Sequence, residues 1–340
     1  MKYSAKYFSG KINIKWLYSA GVLFLFISAA LGIISGSTPL LPGEIAAAFR
    51  DGFDSSAGTR IFAYVRLPRT AASLVCGAAL AVSGAVIQGV LANRLASPSI
   101  IGVNAGAALA VTLCAALGIY GGWQLSLFSF IGAFAAVMLV SFGAKKWGAS
   151  RGTVILIGVA MNSFLGAVTN TIVTFIPEVG VMSNSFKIGE FSGVTHQKLV
   201  PAVIVISVTI VFLLTLHNEL DVLTLGEESA RSLGMNTAFM RMLFLLFAAL
   251  LAGSAVSLAG LLSFVGLLVP HAVRRVAGSK SSGLIGLCAL YGAGFVCICD
   301  TAARTVFSPY EIPVGIIMAF LGAPFFVFIL IKGRGGRSRD

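Results

Sequence analysis

Runs of about twenty apolar residues recur along this chain, and a run of that length is what a helix needs to cross the hydrocarbon of a bilayer. They fall at 16–36, 70–92, 99–119, 123–144, 152–176, 199–216, 242–273, 283–301 and 312–331. Only 11% of the residues are charged, against about 25% in an ordinary soluble domain, so little of the surface is built to face water. The stretch 242–273 is too long for one ordinary helix and too short for two full ones. It is basic at both ends, with Arg241 before it and Arg274 and Arg275 after it. Basic flanks favour the cytoplasm, so the chain enters and returns within this run as two helices, the second short, with a break near Gly260 and Gly266. The expectation is an all-α polytopic membrane protein of about ten spans with both termini cytoplasmic.

The position of the charges tests that arrangement. Of the Lys and Arg residues, 17 fall on the side assigned to the cytoplasm and 7 on the other, the bias of a plasma-membrane protein. The net charge of +12 therefore reports orientation in a membrane and gives no reason to expect nucleic acid as a partner. The chain divides into a basic tail (1–15), a transmembrane domain (16–331) and a second basic tail (332–340). The first apolar run is full length and lacks a small-residue cleavage site, so it reads as a retained span. Cys76, Cys114, Cys288, Cys297 and Cys299 lie inside apolar runs without metal-type spacing and read as packing residues. Gly77-Ala-Ala-Leu-Ala-Val-Ser-Gly84 in the second span is echoed by Gly253-Ser-Ala-Val-Ser-Leu-Ala-Gly260 in the seventh. Those spans run in opposite directions, as an inverted repeat of spans 2–5 and 7–10 requires.

Four features carry candidate function. Between spans six and seven lies a polar stretch, 219–236, with helix-forming residues over 227–233. Its acids come first and Arg231 later, which suits the helix dipole, and Gly234 follows as a stop. It reads either as a solvated loop or as a short rigid helix that takes force from a cytoplasmic partner. On the outer side stands Arg66-Leu-Pro-Arg69, with Pro68 in a first helical turn. These arginines either anchor the helix at the headgroups or bind carboxylates of an external protein through their planar forks. In span five, Gly158, Asn162, Gly166 and Asn170 recur every four residues and form one small, polar stripe. Such a stripe faces a neighbouring helix or a wet pathway. Gln88 and Asn104 are weaker candidates of the same kind. Asp300 and Arg304 are spaced for an i,i+4 ion pair near the outer surface, and Lys187 and Glu190 for an i,i+3 pair.

Signatures of catalysis are missing. There is no H-E-x-x-H, His196, His217 and His271 are far apart, and Gly278-Ser-Lys-Ser281 lacks the glycines of a phosphate loop. No catalytic residue, metal site or cofactor is expected. An ion-coupled transporter is the alternative reading; it needs a titratable group at mid-membrane, and only Asp300, near a span end, comes close.

Together these segments resemble the FecCD family, the iron-chelate and cobalamin permeases of ABC importers. The likeness is carried by Arg66-Leu-Pro-Arg69 running into 77–89, by Asn93-Arg-Leu-Ala-Ser-Pro98 and by Ile101-Gly-Val-Asn-Ala-Gly106. It continues in Leu225-Gly-Glu-Glu-Ser-Ala-Arg-Ser-Leu-Gly234, Phe264-Val-Gly-Leu-Leu-Val-Pro-His271, Ile312-Pro-Val-Gly315 and Gly322-Ala-Pro-Phe325. The resemblance implies a permease dimer of two identical or homologous chains in a bacterial plasma membrane. It also implies two cytoplasmic ATPase subunits that hold the ATP and magnesium, and an extracytoplasmic binding protein that delivers a metal chelate. By the same resemblance, Gly226, Glu227, Glu228, Ala230, Arg231, Ser232, Leu233 and Gly234 belong to the coupling helix that docks on the ATPase. Arg66, Arg69 and Arg304 meet acidic residues of the binding protein, and Asn162, Gly166 and Asn170 line the translocation pathway. A ferric siderophore is the first cargo expected, with haem and cobalamin as alternatives. The chain departs from the family at Phe186 and Gly189-Glu190, where a Trp and a Gly-Ser pair are common, and at Arg94, where a proline is common.

Overall fold

The computed structural model describes residues 13–38, 40, 42–146 and 150–334. The two basic tails therefore lie largely outside the described residues. The helices, in order, are α1 (Ile14–Ile34), α2 (Pro42–Arg50), α3 (Ala57–Arg60), α4 (Leu67–Val90), α5 (Val103–Ala116), α6 (Gly122–Lys146), α7 (Arg151–Phe175) and α8 (Gly180–Ile188). They continue with α9 (His196–Thr215), α10 (His217–Thr224), α11 (Glu227–Ser232), α12 (Thr237–Ala259), α13 (Val265–Ala277), α14 (Ser281–Thr305) and α15 (Val314–Arg334). No strand occurs among the described residues. Among the described residues, seven helical stretches are long and apolar enough to cross a membrane, so the chain is a multi-pass membrane protein. The ten-span expectation is reached only by counting the short α5 and α13, and α15, with these seven.

The centre of the molecule is α4. Its small and apolar residues run all round the helix, which is the pattern of a helix buried on every face. It lies antiparallel to α12: Cys76 Sγ donates to Ala255 O at 3.5 Å, and Ser83 Oγ to Ala248 O at 2.8 Å. It is also antiparallel to α14, where Gly77 faces Gly292 and Arg69 faces Asp300. A Cβ at Gly77 would overlap the carbonyl of Gly292, and one at Gly84 the carbonyl of Gly266, so these glycines set how closely the helices approach. The helix α1 runs parallel to α14, with Ile14 against Gly283 and Gly21 against Leu290.

The two halves of the chain share a local design. A long helix (α4 or α12) is followed by a short one (α5 or α13) whose N-cap residue has left-handed backbone, Gly102 at φ 95° and Phe264 at φ 67°. With α4 and α12 antiparallel, this matches the directions an inverted repeat requires. The break in 242–273 falls at 260–264 as the sequence predicts, with Gly260 at φ 70°. Gly266, however, is no break: it sits inside α13, at the crossing with α4. The free backbone at the break is satisfied from outside. Glu190 N donates to Ala259 O at 2.8 Å and Leu261 N to Phe186 O at 2.9 Å, as irregular backbone at membrane depth demands.

Other boundaries differ from expectation. The run 70–92 is the later part of a continuous helical stretch beginning at Ala57, with a π-helical turn at Ile61–Arg66. The run 99–119 splits into a tight turn, Pro98–Ile101, and the 14-residue α5. The short α2, α8 and α10 have no apolar run of span length to signal them in the sequence.

Candidate functional site

Three sites emerge, two at opposite ends of α4 and one along α7. The first is a groove. Asn104 on α5, Asn162, Gly166 and Asn170 on α7, and Lys187 on α8 line one cavity of about 450 Å³. The stripe read from the four-residue spacing therefore does face a cavity, and Asn104 joins it. Gly158, the fourth member, is buried instead, and a Cβ there would overlap the Ile100 carbonyl. Asn162 works on the same turn: its Nδ2 donates to Ser99 O at 2.8 Å and to Ile100 O at 3.3 Å, fixing α7 against the turn that leads into α5. Much of α7 is uncovered by its own chain, with Leu156 at 72% and Phe175 at 82% exposure. Gln88 is a correction. It is buried away from the groove, donating to Gly266 O at 3.0 Å and accepting from Arg274, and so clamps α4 to α13.

The second site holds the arginines of the opposite end. The expectation of open guanidinium groups does not hold there: Arg66, Arg69 and Arg304 are 3%, 6% and 3% exposed. Each is engaged by this chain. Arg66 donates to the carbonyls of Ile33, Ile34 and Thr38, where a cation complements the C-terminal end of α1. Asp300, fully buried, is shared by Arg69 at 3.1 Å and Arg304 at 3.2 Å. The i,i+4 pair of Asp300 and Arg304 is thus present, but the 231-residue link to Arg69 could not be read from spacing. Arg69 also donates from Nη1 to Glu311 at 2.6 Å, and Ser37 Oγ donates to the same carboxylate at 2.8 Å. Burial pushes the Glu311 carboxyl up, but the hydrogen bond and charge of Arg69, with Ser37 and Arg304, outweigh it and hold the group below the usual range.

The expected Lys187–Glu190 pair is absent from the ion pairs of the described residues. The α8 helix ends at Ile188 and Gly189 takes φ 80°, which turns the two side chains apart. Lys187 enters the groove, while Glu190 lines a separate cavity of about 220 Å³ with Lys198.

The third site lies at the other end of α4. There α10 packs by Leu220 against Gly89, and α11 follows after Gly226 at φ 119°. Ala230 is buried, whereas Glu228, Ser229, Arg231 and Ser232 are exposed and Leu225 and Leu233 are 65% and 67% exposed. The expected short helix is therefore real, and it presents a mixed apolar and charged outer face. Glu227 anchors it from behind, meeting Arg231 at 2.7 Å and the buried Arg241 at 3.1 Å. The hydrogen bond from Arg241, working against partial burial, and the charges of Arg241, Arg231 and Arg151 hold its carboxyl below the ordinary range. Arg151 itself, the first residue of α7, donates to Leu223 O at the end of α10 at 2.6 Å. Among the described residues, no cluster of His, Cys, Asp and Glu could hold a metal.

Comparison with known proteins agrees with this arrangement. An uncharacterised ABC transporter permease protein, YvrB of Bacillus subtilis, is 36% identical over 94% of this chain and 95% of its own. The Fe(3+)-citrate import system permease protein YfmD of Bacillus subtilis is 37% identical over 83% of this chain and 84% of its own. A solved structure described as a metal-chelate type ABC transporter in an inward-facing conformation superposes with a TM-score of 0.82 at 28% identity, covering 94% of this chain and all of that one. Residues 23–332 match the FecCD transport family, and the chain belongs to it.

Proposed function

We propose that the chain is the membrane-spanning permease subunit of an ABC importer in a bacterial plasma membrane. A second permease, identical or homologous, completes the pathway, because α7 is largely uncovered by its own chain and its polar stripe lines only one side of a groove. Two cytoplasmic ATPase subunits supply ATP and magnesium, and this chain binds no cofactor. An extracytoplasmic binding protein delivers a metal chelate, a ferric siderophore first, with haem and cobalamin as alternatives. The observation that carries the reading is α11: a six-residue helix braced by Glu227 and Arg241 that holds Leu225 and Leu233 out of the body. Exposed leucines beside charged side chains form a docking face for a partner, and through Arg151 that face is tied to the helix lining the groove.

The outer arginines take part in docking by exchange. Arg69 is the first to be reached, since its partner Glu311 is 34% exposed and sits in a loop. Vesicles carrying the assembled transporter test the reading: uptake of chelate requires ATP and the binding protein. Uptake driven by a proton gradient without the ATPase overturns it.

A further inference from the structure

The groove along α7 has an uneven chemistry. Its polar lining is made of neutral groups, Ser99, Asn104, Asn162, Ser163, Thr169 and Asn170, together with one cation, Lys187, and no carboxylate. Lys187 is exposed and has neither a hydrogen-bond nor an ion-pair partner among the described residues. The acids nearest in sequence are directed elsewhere: Glu190 lines the neighbouring cavity with Lys198, and Glu178 stands exposed on the turn after α7. An ammonium with no local counter-charge, set in a concave low-dielectric wall, focuses a positive potential into the cavity. Neutral amides and hydroxyls add hydrogen bonds without cancelling it.

We infer that the groove selects cargo by charge, and that the metal chelate carried by this transporter is a net anion bearing carboxylate or other oxyanion groups, drawn in by Lys187. The inference rests on the permease reading above. Lys187 would act as a steering residue, attracting the anion while the rest of this chain's groove wall holds it by neutral groups alone.

Charged thiol reagents measure the potential directly. In the assembled transporter, a cysteine introduced as Asn170→Cys is reacted with an anionic sulfonate and a cationic trimethylammonium methanethiosulfonate, with Ser55→Cys as a distant control. The native cysteines are all buried and contribute little background. Adding Lys187→Gln is expected to lower the anionic-to-cationic rate ratio at position 170 by about fivefold, and Lys187→Glu by more, while the control ratio stays fixed. An unchanged ratio at position 170 overturns the inference. The cargo itself is read in cells whose only chelate importer is this transporter, offered ferric chelates of negative, zero and positive net charge. Uptake restricted to the anionic chelates supports the inference, and neutral or cationic chelates carried equally well overturn it. ATP-dependent uptake of no chelate at all overturns the permease reading instead, which keeps the two failures apart.

Discussion

Arg151 and Leu223 join the groove to the coupling face: the guanidinium at the start of α7 donates to the Leu223 carbonyl at the end of α10 at 2.6 Å. No other hydrogen bond of a described side chain links α7 to α10. A push on α10–α11 therefore reaches the groove-lining helix through this contact. Arg151→Ala is expected to leave ATPase association and basal hydrolysis near normal and to lower chelate transported per ATP several-fold. A charge-assisted hydrogen bond contributes about 1.5–3 kcal/mol, enough for such a loss. The ratio of uptake to phosphate release in vesicles checks it, and an unchanged ratio removes Arg151 from the coupling path.

Asp300 holds two arginines in a buried site, so its removal leaves two cations without their shared counter-ion. Asp300→Ala is expected to destabilise the protein by about 3–5 kcal/mol, far more than loss of an exposed pair such as Arg50 with Asp51. Thermal unfolding in detergent, compared with Asp51→Ala, reads the difference.

The glycines divide sharply by position. At Gly84 a Cβ would overlap the Gly266 carbonyl, whereas at Gly166 it would meet nothing within 4 Å. Gly84→Ala is expected to cost about 1–3 kcal/mol or to displace α13, and Gly166→Ala to leave unfolding unchanged. Equal unfolding temperatures for the two variants would contradict the close crossing.

At the coupling face, acid should loosen α11. Glu227 is held below its ordinary range by Arg241 first, so its contribution is present above the unfolded carboxyl value and is lost as pH falls through the lower folded value. Hydrogen exchange over 226–234 should quicken in the wild type only as the pH falls below the ordinary glutamate range, and already at neutral pH in Glu227→Gln. Glu228→Lys, which alters the exposed face and spares the brace, should weaken ATPase association with the fold intact.

Much of this is legible in the sequence. Apolar length located the long helices, basic flanks located the break after α12, and the four-residue spacing of Asn162, Gly166 and Asn170 put three amide and glycine positions on one cavity. The spacing also paired Asp300 with Arg304. It failed where partners come from far along the chain. Arg69 reads as a surface charge because Asp300 and Glu311, which neutralise it, are more than 230 residues away. Gln88 looked like a pathway group for the same reason, since Gly266 and Arg274 absorb its polarity. Lys187 and Glu190 show the local version of the limit: i,i+3 pairing assumes that the helix continues, and Gly189 ends it. The short α8 was invisible because nine residues cannot build a span-length apolar run.

The glycine crossings of α4 also divide the molecule into what turns and what stays. At Gly77 and Gly84 backbone meets backbone, with no side chain between that could change rotamer and let the helices slide. The α4, α13 and α14 segments are thereby keyed together like the stator of a motor. A stroke delivered at α11 meets a block that moves as one piece, and α7, held at Gly158 and Asn162 to the turn before α5, is carried together with that turn.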